Sequence, residues 1–567
     1  MKSIIPLTTN SLKNLRSYLK SVPNKIYSIE IKINTENVTK LPILSEGVKP
    51  ITANTDKPAK DTVKESLSSV TQNKALDKKS KQKSNDVSSV KKLSHNERID
   101  RTERLVLSLK HSWSIATLPN VISLNIRLKQ LYDHLQTYPE ASNLAVRLNI
   151  VAKLLKIREF SQFILNGRSI LERLKPQQKQ KNSSQQSVDN SKLLHKNYHR
   201  FVNENSRQIL SLLGQADPPK GRGIRVLSID GGGTRGLLAI EILRQIERSY
   251  GQPIHKIFDL ICGVSTGAII AMLLGALRIS IDECDSYYRQ VSSYLFKTDV
   301  FRGTGRLLWS HAYYDTNVYE KILKQIYGDI RLIHTKKSSD CPHIIVLSAI
   351  VNLPTLEPYL FRNYELHPSS KPLSHFDGSS THRIWEAVRA SSAAPGYFEE
   401  FTLNKHVHQD GGILLNNPTA VALHEAKLLW PNEPIQCIIS LGSGQYQPTS
   451  NGTMEMENNK DVTLSSLKHK ILRLIDSATD TEMIHRLMQD MLPDPVYYRL
   501  NPILTDYSTI DETRPEKLEQ MKQDAQIYLR KNDHKFRMAI EQLQKQRSYY
   551  QLLKDRINLQ TKVYWPF

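Results

Sequence analysis

The chain has 567 residues, of which 39% are hydrophobic and 24% charged, and a formal net charge of +22. Such a length accommodates two to four folded units, and the modest apolar fraction implies that part of the chain stays outside any packed core. Four cysteines (Cys262, Cys284, Cys341, Cys437) with no C-x-x-C pair argue against a zinc-finger frame and a disulfide scaffold, and fit a reducing compartment. The charge is unevenly placed. Residues 1–222 hold 39 basic and 18 acidic side chains, whereas residues 223–567 hold 39 and 38. A basic front part suits an anionic membrane surface or nucleic acid, or forms a solvated lysine-rich arm.

In chain order, the first 28 residues carry Lys2, Lys13, Arg16, Lys20 and Lys25, with no acid before Glu30. Leu12, Leu15 and Leu19 fall on one helical face, a pattern shared by mitochondrial transit segments and by ordinary disordered termini. Residues 45–97 are rich in Lys, Ser, Thr, Asn and Asp and too poor in apolar clusters to offset their ordering entropy. Residues 1–97 are therefore expected to be a disordered basic N-terminus. Between 98 and 175 apolar residues recur at three and four, as in VISLNIRLKQLYDHL and LAVRLNIVAKLLKIREF, predicting several packed helices. Residues 176–222, opening on the polar run PQQKQKNSSQQS, read as a linker and lead-in.

At Gly223 the pattern changes. Strands are predicted at 224–229 (IRVLSI), 257–262, 343–350 (HIIVLSAI), 358–363, 406–409 and 436–441, alternating with helices at 236–249, 266–277, 383–392 and 418–429. Strands alternating with helices predict an α/β domain over 223–445 with a mainly parallel sheet. The uncharged stretch 260–277 barely reaches bilayer length and contains Gly263, Ser265, Thr266 and Gly267, so it reads as strand, turn and buried helix. Residues 446–567 read as a C-terminal helical extension, with helices near 463–492 and 515–560.

Three short motifs carry chemistry. Gly263-Val264-Ser265-Thr266-Gly267 is a G-x-S-x-G between an apolar strand and an apolar helix, the setting in which such a turn projects its serine at a strand end. Asp230-Gly231-Gly232-Gly233-Thr234-Arg235-Gly236 closes the first strand. It matches G-x-G-x-x-G, but a second strand running into the serine turn and an acid at its head both disfavour a dinucleotide site. Its glycine amides, with Arg235 beside them, instead suit an oxyanion hole. Asp410-Gly411-Gly412 places a carboxylate at a strand end held by a turn; alone it is an ordinary Asp-Gly turn, and only its company gives it meaning. His406 and His408 lie near enough to be weighed as bases, though packing or hydrogen bonding accounts for them better.

Taken in this order, DGGGTRG (230–236), GVSTG (263–267) and DGG (410–412) resemble the patatin-like phospholipase family. The likeness covers about residues 224–445. It extends to the calcium-independent gamma-type members through RASSAAPGYF (389–398), HQDGGILLNNP (408–418), SLGSG (440–444) and SATDTE (477–482). The resemblance implies a three-layer α/β/α domain and a Ser-Asp dyad rather than a triad. By position Ser265 is the nucleophile and Asp410 its base, with Gly231, Gly232, Gly233 and Arg235 at the oxyanion. It further implies hydrolysis of membrane glycerophospholipid acyl esters to fatty acid and lysophospholipid, with no cofactor and no metal. Lipid acyl transfer or triacylglycerol hydrolysis on the same site stays open.

Membrane phospholipids are thus the expected partner, touched peripherally through the basic front part; no nucleic-acid reading motif is present, and oligomeric state is not readable. The resemblance points to mitochondrial or endoplasmic reticulum membranes. The final Trp565-Pro566-Phe567 is not a peroxisomal S-K-L type signal. The rival of another class is a membrane scaffold that has kept the fold without the reaction.

Overall fold

A computed structural model of the chain describes residues 93–109, 118–138, 144–173, 183–296, 312–367, 374–446, 481–506 and 508–564. The transit-like segment, most of the expected disordered N-terminus and the predicted helical stretch 463–480 lie outside these residues. Lys91–Phe567 form one compact unit.

Four helices lead the described chain: α1 His95–Ser108, α2 Leu118–Thr137, α3 Leu144–Arg173 and α4 Ser183–Leu212. Helix α1 starts from a capping box in which Ser94 and Glu97 satisfy each other's backbone amides. Along α2 the apolar stripe Val121, Leu124, Leu128, Leu131 and Leu135 repeats at three and four, and all five are buried. It meets Ile150 and Leu154 of α3 and Val202 and Ile209 of α4 in one core. Helix α4 corrects the expected linker over 176–222. Its Gln-, Ser- and Asn-rich first half dilutes the apolar period, but Val202, Ile209 and Leu210 still make one buried face against α2 and α3.

The second layer is a sheet of nine strands among the described residues. In chain order these are β1 Ile224–Ile229, β2 Leu260–Val264, β3 His343–Ile350, β4 Glu357–Arg362, β5 Asp377–Ser379, β6 Phe401–Leu403, β7 His406–Asp410, β8 Ile435–Leu441 and β9 Tyr497–Leu500. The main path runs β5-β4-β3-β2-β1-β8-β9, with β7 on β3 and β6 on β7. Strands β3, β2, β1, β8 and β9 are parallel neighbours. Every residue of β1, β2 and β3 is buried, so these sequences read as continuous apolar runs instead of alternating, as a sheet covered on both faces requires. The covering helices include α5 Gly236–Tyr250, α6 Thr266–Ala271, α7 Ile281–Leu295, α8 Thr316–Tyr327, α9 Ile384–Ser391 and α10 Thr419–Leu429. Helix α6 continues as a π-helical turn over Met272–Leu277. The stretch weighed as a membrane span is therefore β2, a turn and a buried helix; among the described residues no helix is long and apolar enough to cross a membrane.

The C-terminal segment is more than the helical extension expected. Besides α11 Thr481–Met491, α12 Pro515–Lys531, α13 Asp533–Gln544 and α14 Tyr549–Tyr564 it supplies β9, which pairs with β8 and extends the main sheet. Four residues between Pro495 and Pro502, buried over Tyr498–Leu500, show no alternation for a sequence reading to find.

One buried ion pair braces the sheet. Glu425 of α10 has no exposed side-chain surface and accepts from Arg362 Nε and Nη2 of β4 at 2.8 Å each, from Tyr364 Oη at 2.9 Å and from Ser374 Oγ at 2.7 Å. Replacing Arg362 by methionine strands that carboxylate in the core. Urea unfolding is expected to show a loss of ~3–5 kcal/mol, and a loss under about 1 kcal/mol would contradict this account of the brace.

Candidate active site

The sheet register explains how residues 145 apart in sequence meet. Strand β4 occupies one edge of β3 from Ile345 to Ile350. On the other edge β2 pairs as far as Val264 with Leu347. Strand β7 then takes over that edge, antiparallel, with Asp410 opposite Ser348. The residue after Val264 is Ser265, so the serine turn and the carboxylate are consecutive neighbours along β3. Ser265 Oγ donates to Asp410 Oδ2 at 2.6 Å.

Ser265 has φ 54° and ψ −118°, a positive-φ conformation rare for a residue with a Cβ and costing ~1–3 kcal/mol. The flanking glycines make the bend possible. A Cβ on Gly263 would stand 2.3 Å from the Gly267 carbonyl oxygen, and one on Gly267 would stand 2.3 Å from that of Ile229. Val264 is buried in β2, and the Ser265 amide donates to Ser391 Oγ at 2.9 Å, fixing the turn from α9.

Asp410 is buried, and its Oδ1 accepts from the Gly412 amide at 2.8 Å. Burial pushes its carboxyl up to about 6, against the Ser265 hydroxyl and the Gly412 amide, which both favour the ionised form. A Cβ on Gly411 would stand 2.5 Å from the Leu347 carbonyl oxygen, so the Gly-Gly turn is needed for Asp410 to lie on β3.

The glycine loop faces this pair. Gly231, Gly232, Gly233 and Arg235 line the same cavity as Ser265 and Asp410. The Gly231 amide is already taken by Asn416 Oδ1 at 3.1 Å, while among the described residues the amides of Gly232 and Gly233 donate to no protein acceptor. Those two are therefore the donors open to an oxyanion, and Gly231 serves to dock the loop. The Gly233 carbonyl accepts from Thr266 Oγ1 at 2.8 Å and from the Tyr288 hydroxyl of α7. Arg235 Nε reaches the Gly232 carbonyl at 3.4 Å and adds positive charge at the loop.

The histidines stand apart. His408 Nδ1 lies 2.9 Å from Ser348 Oγ, and its ring packs at 5.2 Å from Tyr359 and 5.4 Å from Phe361. Burial lowers its pKa to about 4, so it is a neutral core residue at pH 7. Neither His406 nor His408 lines the cavity. Among the described residues no three His, Cys, Asp or Glu side chains gather to hold a metal ion.

Above the pair the cavity is walled by Ile269 and Leu273 of α6 and its continuation, Val291 and Leu295 of α7, and Leu323 and Ile326 of α8. A hydroxyl hydrogen-bonded to a carboxylate, amide donors beside it and an apolar channel leading in form an acyl-transfer arrangement.

Residues 227–423 match the family model for patatin-like phospholipases. This domain belongs to the patatin-like phospholipase family. Around it the chain is 40% identical over 439 residues to the calcium-independent phospholipase A2-gamma of Oryctolagus cuniculus, covering 77% of this chain and 50% of that protein. Against the Homo sapiens protein of that name the identity is 39% over 466 residues, 82% of this chain and 53% of the relative. Phospholipase A I of Arabidopsis thaliana is 29% identical over 405 residues, 60% of this chain and 30% of its own. The chain thus spans about half the length of the gamma-type relatives it matches. A solved structure, VipD from Legionella pneumophila, overlaps 56% of this chain and 70% of its own at 13% identity with a TM-score of 0.28, too low to bear on the fold.

Several residues that hold the patatin-like site escape a motif reading. Ser391 lies in RASSAAPGYF and Asn416 follows DGG by four, but neither string signals which backbone amide its side chain will hold. Tyr288 carries no local signal; only the packing of α7 brings its hydroxyl to the loop.

Proposed function

We propose that the chain hydrolyses fatty acyl esters of membrane glycerophospholipids, releasing fatty acid and lysophospholipid through an acyl-serine intermediate. The observation that carries this reading is the 2.6 Å contact between Ser265 Oγ and Asp410 Oδ2 at the floor of an apolar cavity. In the first half-reaction Asp410 takes the Ser265 proton as Oγ attacks the ester carbonyl carbon. The Gly232 and Gly233 amides hold the resulting oxyanion. As the carbonyl re-forms, the lysolipid oxygen leaves and takes the proton from Asp410. Water then gives a proton to Asp410 and attacks the acyl carbon, and Ser265 Oγ leaves with that proton. Asp410 alone does the work a histidine does in a triad, and its burial tunes it toward that role.

The relatives named as phospholipases support this substrate class, and the apolar walls suit an acyl chain. The net positive charge of residues 1–222 favours peripheral contact with an anionic bilayer, at about 1 kcal/mol per basic residue near the surface. The test is product analysis by mass spectrometry on a phosphatidylcholine with different chains at its two positions, in excess chelator. Equimolar fatty acid and lysophosphatidylcholine are expected. Vesicle binding with no acyl release would favour the scaffold reading.

A pH dependence follows. Only ionised Asp410 can accept a proton, and its carboxyl titrates at about 6. On a soluble short-chain ester, kcat/KM is expected to level off above pH ~7 and to fall about tenfold per unit below pH ~6. A flat profile down to pH ~5 with the protein still folded would contradict Asp410 as the base.

A further inference from the structure

The glycine loop is fixed at both ends by the C-terminal segment, which lies outside the matched domain of residues 227–423. At its head, Asp230 Oδ2 accepts from Arg499 Nη2 at 2.6 Å, with side chains 1% and 2% exposed. Arg499 is on β9, opposite Ser440 of β8, which in turn stands opposite Ser228 of β1. The guanidinium therefore reaches across β8, donating to Ser440 Oγ at 3.0 Å on the way. Glu482, which accepts from Asn501 Nδ2 at 3.0 Å, lies 3.5 Å from Arg499 Nη2 and steadies it from α11. At the loop's tail, the Ile510 carbonyl accepts from the Thr234 amide at 2.8 Å. Gly233, at φ 56°, is pressed so close to that carbonyl that a Cβ would stand 1.9 Å from its oxygen. Between these two anchors lie the amides of Gly232 and Gly233.

On the ester-hydrolase reading, we propose that Arg499 is a positioning residue: its ion pair with Asp230, together with the Ile510 carbonyl, sets the glycine amides where an oxyanion forms, so β9 and the strand-to-helix segment after it belong to the reaction apparatus. A buried ion pair is a poor source of net stability, since the cost of desolvating two charges offsets their attraction. What it supplies is direction. The carboxylate ends β1 and starts the loop, and the planar two-nitrogen head of Arg499 ties it to Ser440 at a fixed angle. Oxyanion donors must be placed to within a fraction of an ångström, which a loop of three glycines cannot do alone.

The test uses the full-length protein with Arg499→Lys, Arg499→Met and Asp230→Asn/Arg499→Met, measuring kcat and KM on phosphatidylcholine vesicles beside thermal unfolding. Arg499→Lys keeps the charge and loses the fork; it is expected to lower kcat by ~10–100-fold with KM within about twofold. Arg499→Met leaves Asp230 buried and unpaired, and is expected to unfold earlier. The double variant leaves no lone charge, so it is expected to recover the unfolding temperature but not kcat. A folded Arg499→Lys or double variant with kcat within about twofold of wild type would overturn the assignment. So would a loss of kcat that disappears in the double variant as its stability returns. A wild-type protein that releases no fatty acid under the same conditions contradicts the hydrolase reading itself, and is told apart by needing no variant at all.

Discussion

Ser265→Ala and Asp410→Asn are each expected to lower kcat for fatty acid release by ~10⁴-fold or more. The two should be non-additive, because they act as one unit: without the carboxylate the hydroxyl keeps its proton, and without the hydroxyl the carboxylate has nothing to activate. The second substitution carries an independent signature in stability. Burial raises the folded Asp410 carboxyl to about 6, against about 4 in an unfolded chain. A raised acid favours folding while it is protonated. Its contribution is present below pH about 4 and is lost as pH rises past about 6, a difference of ~3 kcal/mol. At pH 7 the ionised carboxylate is therefore a burden on the fold. Asparagine keeps an oxygen for the Gly412 amide and carries no charge, so Asp410→Asn is expected to unfold at a higher temperature than wild type at pH 7, with the gap closing near pH 4. A lower unfolding temperature at pH 7 would show that the carboxylate is held by favourable contacts and not by desolvation.

The second large effect is expected at Gly233→Ala. The added Cβ would stand 1.9 Å from the Ile510 carbonyl oxygen, in a left-handed backbone that alanine resists. The loop must shift, and with it the amides of Gly232 and Gly233. Loss of oxyanion donors costs ~10²–10³-fold in kcat with little change in KM, read by steady-state kinetics. Gly251→Ala is the control. Its φ is also positive, at 81°, but it ends α5 in open space, with nothing within 4 Å of where a Cβ would stand, so about 1 kcal/mol of stability and no kcat should be lost. Equal kinetic effects at the two positions would mean that backbone strain, and not the oxyanion cradle, is being measured.

How much of this was legible in the sequence depends on whether the signal is local. The sheet centre was: β1, β2, β3 and β8 are buried on both faces, so each is a short apolar run closed by glycine or a polar turn. The serine turn was also legible, because a positive φ at Ser265 needs glycines on both sides and those glycines are in the string. Helix α4 was hidden by its polar first half; the buried face that packs it on α2 and α3, with Val202, Ile209 and Leu210, lies in its second half. Strand β9 was hidden because a four-residue strand at the margin of a sheet needs only a partner, here β8. The docking contacts of the glycine loop were the least legible. Asp230 begins a recognisable string, yet Arg499 follows it by 269 residues and Ile510 follows Thr234 by 276. Such pairings are set by the order of strands in the sheet, and no spacing rule along the chain encodes that order. The same holds for Gly231. As a glycine with an amide it looks like a third oxyanion donor, and only the position of Asn416 shows that its hydrogen is committed.

Acylation of Ser265 with Asp410 as its base can be read most directly by trapping the intermediate. Wild-type protein is mixed with phosphatidylcholine for less than one turnover, quenched in acid, digested and analysed by mass spectrometry. A fatty acyl group is expected on the peptide containing Ser265, absent in Ser265→Ala and strongly diminished in Asp410→Asn. Fatty acid released by wild type with no acyl group on that peptide, together with release undiminished in folded Ser265→Ala, would contradict it.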